Sequence, residues 1–395
     1  MKPLNKNVLN TQLSAIKEIL MLAAKTEGIV SLAWGLPLYE LDETVKADMI
    51  KAVSSVAGIN KYAPFPGLPA LRTTLVENLN REYKHNLSVD NVLITNGAIE
   101  ALFIICMTLL NAGDEVIIPS PFFSGQMEQV SLMGARVVNV PLHEDTGWSL
   151  DIEELRNAIT DKTKAILITS PNNPTGSVYD KKVFDELVAI AHEHDIFIIS
   201  DETYNFLSYG ERAYSLLEYR IEPHFITVRS FSKQYAMTGM RVGYVLADIS
   251  LMHNIMKAHD ASVAAVTTIS QYAALAAADH FPQATAETYL KEFREKRQLV
   301  MDELTKYSDV LSFTEPAGAF YIMPKYHLDM KSMDLARELV DNAKVAVVPG
   351  SGFGEAGEYH LRLSFAGKNE DIVEGVKRIG EYLRKVGKDA ETSSV

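Results

Sequence analysis

Cysteine is almost absent from this chain of 395 residues, and long apolar runs are missing. The single cysteine, Cys106, excludes an intrachain disulfide, and its apolar helical surroundings predict an inert buried thiol. No uncharged run approaches the ~20 apolar residues that a membrane-spanning helix needs. No apolar signal core follows Met1. These absences predict a cytoplasmic protein without a membrane partner.

An excess of positive charge is also missing. Lysine and arginine number 38 against 51 aspartate and glutamate residues, which gives a net charge of -13. This balance argues against nucleic acid and anionic membranes as partners. A local basic cluster can still bind a phosphate, so a small anionic ligand remains open. The length and the 47% hydrophobic content predict a large core divided between two domains.

Alternating strand and helix signals run from about residue 45 to 280. The predicted strands cover residues 92–95, 115–118, 136–140, 165–169, 196–200, 225–228 and 242–246. Helical patterns separate several of them, for example at residues 99–110 and 182–192. This alternation predicts an α/β fold, in which a mainly parallel sheet is covered by helices.

The two ends of the chain have a different pattern. Residues 12–25 have helical spacing, and a long charged helix is predicted over residues 289–306. Beyond it, strands at 319–323 and 360–364 mix with helices at 332–342 and 370–386. We therefore expect a large domain over residues 45–284. The N-terminal arm, residues 1–44, should join residues 285–395 in a smaller α+β domain.

Lys233 stands in the most informative segment. It follows the apolar strand at 225–228, with Ser230 and Ser232 before it and Arg241 eight residues after it. α/β proteins bind ligands at the carboxyl ends of strands. Hydroxyls and a guanidinium donate to phosphate oxygens, and a lysine can form a Schiff base with an aldehyde. Pyridoxal 5'-phosphate carries both groups, whereas the ordinary alternative is a solvated lysine.

Three other strand ends carry suggestive residues. Gly97 opens a helix whose first amides could bind an anion, although many such turns contain glycine. Asn173, in an Asn-Pro-Thr-Gly turn, could donate to a ring oxygen or belong to a plain loop. Asp201 ends an apolar strand, where it could cap a helix or hold a pyridine nitrogen protonated.

These motifs together resemble one family. Asn-Pro-Thr-Gly at 173–176, Ser-Asp-Glu-x-Tyr at 200–204, Ser-x-Ser-Lys at 230–233 and Arg-x-Gly at 241–243 occur in the order and spacing of class I and II aminotransferases. The resemblance covers nearly the whole chain and extends to the aspartate and aromatic amino acid aminotransferases. It implies fold type I, pyridoxal phosphate as cofactor, and a homodimer with shared active sites.

The resemblance also implies roles for the cofactor-binding residues. Lys233 would hold the aldehyde covalently and then transfer the proton. Asp201 would pair with the pyridine nitrogen, and Asn173 and Tyr204 would contact the phenolic oxygen. The remaining implied contacts are the phosphate ligands Ser230, Ser232 and Arg241, the backbone at Gly97, Ala98 and Ile99, the ring-stacking Phe123, and Tyr62 from the neighbouring subunit.

For the substrate, the resemblance assigns the carboxylate to Arg362, with Gly35 and Asn173 close by. An arginine fork suits the carboxylate of any α-amino acid, although Arg362 could also be a surface residue. Trp34 is either packed core or an apolar wall of the substrate pocket. Ile99 stands where some aspartate-specific relatives carry a lysine. We therefore expect an aromatic or large neutral amino acid, with a 2-oxo acid such as 2-oxoglutarate, and no metal site.

Other functions remain open at this point. An aspartate aminotransferase would need a partner for a second carboxylate. A β-lyase or a decarboxylase could use the same scaffold, because the motifs bind the cofactor without fixing which bond breaks. An effector-sensing regulator would carry a DNA-binding domain ahead of this fold. The acidic chain and a family pattern that begins within the first twenty or so residues argue against a regulator.

Overall fold

A computed structural model describes residues 2–11, 14–280 and 282–393. The helix expected at residues 12–25 is present as α2, while residues 12 and 13 lie outside the described part. The N-terminal arm contains α1 (Lys6–Asn10), α2 (Ala15–Ala23) and β1 (Val30–Ser31). Ser14 caps α2 by accepting a hydrogen bond from the Lys17 amide, as serine commonly does at this position.

An eight-stranded sheet organises the middle of the chain. Its strands are β2 (Val92–Thr95), β3 (Glu115–Ser120), β4 (Arg136–His143), β5 (Ser149–Leu150), β6 (Thr163–Thr169), β7 (Phe197–Asp201), β8 (Phe225–Ser230) and β9 (Gly243–Ala247). They lie in the order β2-β9-β8-β7-β6-β3-β4-β5. Strands β4, β3, β6, β7 and β8 pair in parallel, whereas β9 and β5 are antiparallel to their neighbours. The expected mainly parallel sheet is confirmed.

Helices cover this sheet. They are α3 (Glu43–Ser55), α4 (Pro69–Tyr83), α5 (Gly97–Leu109), α6 (Ser124–Leu132), α7 (Ile152–Asn157), α8 (Lys181–His194), α9 (Phe231–Gln234), α10 (Ile249–Val263) and α11 (Thr268–His280). Successive residues of a strand point to opposite faces, so both faces need a partner. In β6, Leu167 packs in one core cluster with Ile105 of α5, while Ile166 packs in another with Leu187 of α8.

The C-terminal part contains smaller sheets and long helices. Its elements are α12 (Gln283–Thr305), β10 (Leu311–Ser312), β11 (Tyr321–Ile322), β12 (Lys325–Tyr326), α13 (Ser332–Asn342), β13 (Val345–Ala346), β14 (Val348–Pro349), β15 (Leu361–Ser364) and α14 (Asn369–Ser393). β15 lies between β11 and β14 in an antiparallel sheet.

The N-terminal arm joins this part. β1 pairs in parallel with β13, and the Ser364 amide donates to the Leu32 carbonyl at 2.7 Å. Ile19 of α2 packs in one apolar cluster with Val340 of α13. The expected α+β arrangement, in which the arm completes the C-terminal part, is confirmed. The domain limits 1–44, 45–284 and 285–395 stay predictions.

Some element ends differ from the sequence expectations for local reasons. β3 and β4 run past Pro119 and Pro141, where the predicted strands stopped because proline lacks an N–H. α12 begins at Gln283, before the predicted start at 289. The prediction began late because the first residues of this helix are polar or small and show no apolar period. None of the helices in the described ranges is long and apolar enough to cross a membrane.

Candidate active site

The carboxyl ends of three neighbouring parallel strands meet at one point. Thr169 at the end of β6 is paired with Asp201 at the end of β7, and Ser230 ends the adjacent β8. They open on a cavity of about 480 Å³. Its lining residues are Ile16, Leu20, Ala33, Trp34, Gly35, Leu36, Ala98, Ile99, Leu102, Phe123, Thr169, Asn173, Asp201, Thr203, Tyr204, Ser230, Ser232, Lys233, Thr238, Arg241, Tyr321 and Arg362.

Lys233 reaches the cavity from α9, which begins directly after β8. Its Nζ donates to the Gly35 carbonyl oxygen at 2.6 Å. Burial, and then the positive charges of Arg362 and Arg241, lower the pKa of Lys233 to about 8. A much larger fraction of this amine is therefore neutral near pH 8 than for an ordinary lysine, and only the neutral amine is a nucleophile.

Asp201 presents a buried carboxylate to the same cavity. Its Oδ1 accepts from the Thr203 amide at 3.1 Å and from Thr203 Oγ1 at 2.7 Å, while within the described ranges Oδ2 accepts only from Gln126 Nε2 at 3.4 Å. Burial raises the pKa of Asp201, and the hydrogen bonds from Thr203 and Gln126 oppose that rise. Because these donors are neutral, a cationic N–H at Oδ2 would stabilise the carboxylate strongly.

An anion cradle lies at the N-terminus of α5. The Asn96 side chain does not cap this helix, so the N–H groups of Gly97 and the residues after it are available to a ligand. Gly97 has a φ of +75°, and a Cβ there would come within 2.6 Å of Arg241 Nη2. Arg241 also donates to Ser232 Oγ at 3.4 Å, and Ser230 Oγ accepts from the Ser232 amide at 3.1 Å. Two hydroxyls, a guanidinium and a helix N-terminus therefore lie together, as a phosphate requires.

Arg362 on β15 is a buried cation without a carboxylate partner among the described residues. Its Nη1 donates to Asn173 Oδ1 at 3.1 Å and its Nη2 to the Ala33 carbonyl at 2.6 Å. Its guanidinium carbon lies 4.5 Å from the centre of the Tyr321 ring, and Nε finds no acceptor. A guanidinium that is 2% exposed and held only by neutral groups is suited to an anionic ligand.

Two tyrosines and a glycine close this end of the cavity. The Tyr204 and Tyr321 hydroxyls are 2.8 Å apart, and burial holds the pKa of Tyr204 well above its usual range. A Cβ at Gly35 would collide with the Tyr321 hydroxyl. The absence of a side chain at Gly35 thus allows the N-terminal segment to pass over Lys233 and Tyr321.

The outer wall of the cavity is apolar. Trp34 is 53% exposed and Ile99 is 54% exposed, and both line the cavity. The only cationic side chains among the lining residues in the described part of the chain are Lys233, Arg241 and Arg362. No group of three or more His, Cys, Asp or Glu residues in the described ranges is arranged to hold a metal ion.

Most of the residues expected from the sequence come together here. Lining the same cavity are Trp34, Gly35, Ala98, Ile99, Phe123, Asn173, Asp201, Tyr204, Ser230, Ser232, Lys233, Arg241 and Arg362. Gly97 lies behind this surface, against Arg241. Tyr62 does not reach the cavity of its own chain: it lies between α3 and α4 and is 88% exposed.

Tyr321, Thr203 and Gln126 also contribute to the site but were not expected from the sequence. Thr203 carried a signal, since it stands within the Ser-Asp-Glu-x-Tyr motif. Tyr321 lies on the strand predicted at 319–323, where nothing marked it as functional, and Gln126 lies in a helix with no distinctive pattern. Only the tertiary fold brings the last two residues to the site.

The fold and the cavity define a pyridoxal phosphate enzyme. A lysine with a lowered pKa, a buried carboxylate and a phosphate cradle match the aldehyde, the ring nitrogen and the phosphate of that cofactor. Gly97 is the most specific feature of the phosphate cradle, because any larger residue there would displace Arg241 from the cradle.

The family follows from comparison with known proteins. The family model for aminotransferase class I and II matches residues 27–379. A probable aspartate aminotransferase of Methanocaldococcus jannaschii is 36% identical over 380 residues, which cover 95% of this chain and 98% of that protein. Aromatic-amino-acid aminotransferase 2 of Thermococcus litoralis is 34% identical over 381 residues, covering 94% and 96% respectively.

Solved structures agree with this match. The aspartate aminotransferase from Thermus thermophilus with maleate superposes with a TM-score of 0.91 at 33% identity, covering 96% of this chain and 100% of that chain. The chain belongs to the class I and II aminotransferase family. It is an aminotransferase, and its cofactor is pyridoxal phosphate. The expectation of an enzyme rather than a regulator is confirmed.

Lys233 is expected to be the residue that captures the cofactor. Borohydride reduction followed by peptide mapping should place the pyridoxyl group on Lys233, and Lys233→Ala should carry no label. In cofactor-free protein the capture rate should rise with pH, pass its midpoint near 8 and level off above, because the protonated amine cannot attack. A label on another lysine, or a midpoint near the ordinary value of 10.5, would contradict this assignment.

Proposed function

We propose that this aminotransferase moves the amino group of an aromatic or other large neutral L-amino acid to a 2-oxo acid such as 2-oxoglutarate. The observation that carries the proposal is the shortage of cations at the cavity. Each of the three lining cations already has a partner in the proposed complex: Lys233 the aldehyde, Arg241 the phosphate and Arg362 the substrate carboxylate.

A second substrate carboxylate would meet an apolar wall instead. Trp34 and Ile99 offer contact area to a large neutral side chain but no donor for a buried anion. Burying a neutral polar group without a hydrogen-bond partner costs about 2–7 kcal/mol, and burying an unpaired carboxylate costs more. Glutamate, which is formed from 2-oxoglutarate, also carries a second carboxylate. Its binding therefore requires a cation that moves into the cavity together with glutamate.

Aspartate aminotransferase is the second candidate. Several relatives carry that name, and the Thermus thermophilus structure was solved with maleate, which has two carboxylates. This candidate likewise needs a cation from the neighbouring subunit or from a side chain that moves. Aspartate and large neutral donors therefore have to be compared directly.

The cofactor-binding residues have distinct proposed roles. Pyridoxal phosphate, when bound, supplies an aldehyde that takes up the amino group and a ring that acts as an electron sink. Lys233 holds the cofactor through Nζ and moves the α-proton of the substrate on the same atom, which its lowered pKa favours. Asp201, through Oδ2, keeps the ring nitrogen protonated, while Thr203 fixes Oδ1.

The substrate end has its own set of groups. Arg362 binds the α-carboxylate, which takes over the guanidinium contacts now made by the Ala33 carbonyl and Asn173 Oδ1. The Asn173 amide and the Tyr204 hydroxyl would then hold the phenolic oxygen of the cofactor. Phe123 lines the same cavity and would provide a flat apolar face for the ring. A β-lyase or decarboxylase could use the same contacts, so product analysis distinguishes these reactions.

We also propose a homodimer with shared active sites. Tyr62 is 88% exposed and Phe65 is 45% exposed, and Tyr62 has no place in the cavity of its own chain. An exposed aromatic pair on a loop is a common element of a protein interface. In the proposed dimer the Tyr62 hydroxyl donates to the phosphate that is bound by the neighbouring subunit.

Asp201→Ala should retain the cofactor but lose on the order of 10²–10³-fold in kcat, because the phosphate contacts remain while one stabilising charge is removed. Cofactor content by absorbance and stopped-flow kinetics of the first half-reaction would measure both effects. Thr203→Val is the matched control: it removes one donor but keeps the carboxylate, so its loss should be much smaller. Near-normal turnover of Asp201→Ala would refute the assigned role.

Shared sites predict complementation between two inactive variants. Lys233→Ala lacks the nucleophile, and Tyr62→Phe should bind the cofactor weakly when pyridoxal phosphate is limiting. If subunits exchange freely in an equal mixture, half of the dimers are hybrids and each hybrid has one intact site. The mixture should then reach about a quarter of the wild-type activity. Activity equal to the mean of the two parents, or an active monomer by light scattering, would contradict the shared-site dimer.

The substrate proposal is tested by kcat/KM for phenylalanine, leucine, methionine, alanine and aspartate with one fixed oxo acid. Phenylalanine and the large aliphatic donors should lead the series, and product analysis should find the 2-oxo acid without ammonia release. Ile99→Lys should raise the aspartate-to-phenylalanine ratio by roughly tenfold, since a charge pair is then available. Ile99→Met, which is neutral and of similar reach, should not. An aspartate-led series for the wild type would favour the second candidate.

A further inference from the structure

A buried histidine–glutamate pair lies behind the phosphate cradle. We propose that His259 and Glu100 position the turn at residues 96–98 and thereby set the affinity of the protein for the phosphate group of its cofactor. This inference rests on the proposed phosphate contacts of α5 and Arg241. Neither His259 nor Glu100 lines the cavity, so both would act as positioning residues.

Both carboxylate oxygens of Glu100, a residue of α5, make a contact. One oxygen faces His259 on α10, and the other faces the turn that precedes α5. His259, on α10, is completely buried, and its Nδ1 lies 2.8 Å from Glu100 Oε1. Because a carboxylate oxygen accepts, Nδ1 carries the donated proton. Glu100 Oε2 accepts from the Asn96 amide at 2.6 Å. His259 Nε2 has no hydrogen-bond partner among the described residues, so Glu100 is the one polar contact found for this ring.

The turn held by Glu100 is the one that forms the cradle. The Asn96 carbonyl accepts from Arg241 Nη2 at 3.3 Å, and the Gly97 carbonyl accepts from Thr95 Oγ1 at 3.1 Å. A Cβ at Gly243 would approach the Ala98 amide nitrogen to 2.9 Å, so the turn also packs closely on β9. A shift of Asn96 would therefore move both the open amides of α5 and the guanidinium of Arg241.

The chemistry of Glu100 explains why it needs His259. A carboxylate in the first turn of a helix interacts favourably with the helix dipole, but here it is close to the amides that bind a phosphate dianion. Two donors, His259 Nδ1 and the Asn96 amide, fix the carboxylate behind the turn. Without His259 one oxygen of a nearly buried carboxylate would be unpaired, and Glu100 would be free to turn toward the cradle.

The alternative is that the pair only packs α10 against α5. That contact also has an apolar part, since Ile255 of α10 and Ile105 of α5 lie in the same core cluster. Ile255 lies one helical turn before His259 and is equally buried. Ile255→Ala therefore provides a matched control: it weakens the packing of α10 without touching the hydrogen bonds to Glu100.

The experiment compares the dissociation constants of pyridoxal phosphate and pyridoxal, which lacks the phosphate, for full-length protein freed of cofactor. The ratio of the pyridoxal constant to the pyridoxal phosphate constant measures the contribution of the phosphate contacts, because the aldehyde and ring contacts are common to both ligands. His259→Phe should weaken pyridoxal phosphate about tenfold and leave pyridoxal unchanged, as expected for a lost hydrogen bond to a charged group. His259→Asn, which keeps a donor near the position of Nδ1, should restore much of the ratio.

Two further variants complete the test. Glu100→Leu removes both acceptor oxygens, so the ratio should fall as in His259→Phe, and this variant remains informative if the phenylalanine variant does not fold. Ile255→Ala should lower the unfolding midpoint but keep the wild-type ratio. Equal weakening of both ligands by His259→Phe, or an unchanged ratio, would overturn the positioning role. A wild-type chain that bound both ligands equally would overturn the proposed phosphate contacts as well.

Discussion

Parallel pairing of β6, β7 and β8 is the constraint on which the site depends. Parallel strands end at the same edge, so Thr169, Asp201 and Ser230 meet although they are far apart in the chain. The helices that cover both faces keep this edge rigid, because alternate side chains of β6 are buried in different core clusters. Lys233 lies in α9, which begins directly after β8, so the end of this strand places the lysine at the same edge.

The same strand geometry separates two neighbouring carboxylates. Asp201 and Glu202 are consecutive, and their side chains point to opposite sides. Glu202 is neutralised by Arg229 at 2.9 Å and accepts from the Leu216 amide, whereas Asp201 receives only neutral donors. The fold thus pairs the buried charge of Glu202 with Arg229 and leaves the carboxylate of Asp201 for a ligand. Breaking a buried pair is costly, so Arg229 secures the strand end that carries Asp201.

The sequence predicted the parts of the site whose signal is local. Lys233 with its flanking serines and Arg241 forms a compact motif, and Asp201 and Asn173 follow apolar strands that are easily recognised. Tyr321, Gln126 and His259 were not predicted, because each meets the site only through long-range packing of elements that look like ordinary core. The predicted strands ended before Pro119 and Pro141, two residues without an N–H. In the structure, the parallel pairing of β3 and β4 continues through both prolines although these two donors are missing.

The site combines several groups that would be unfavourable elsewhere in a core. Arg362 is buried with neutral partners, Asp201 is buried with neutral donors, and Lys233 has a lowered pKa next to two guanidinium groups. Each group is held by a backbone or side-chain contact that an appropriate ligand atom can replace or complete. In the proposed complex, the aldehyde, the ring nitrogen and the phosphate of the cofactor, together with a substrate carboxylate, would partner these groups. Because such groups are costly to bury without charged partners, they favour ligands that supply the complementary charges.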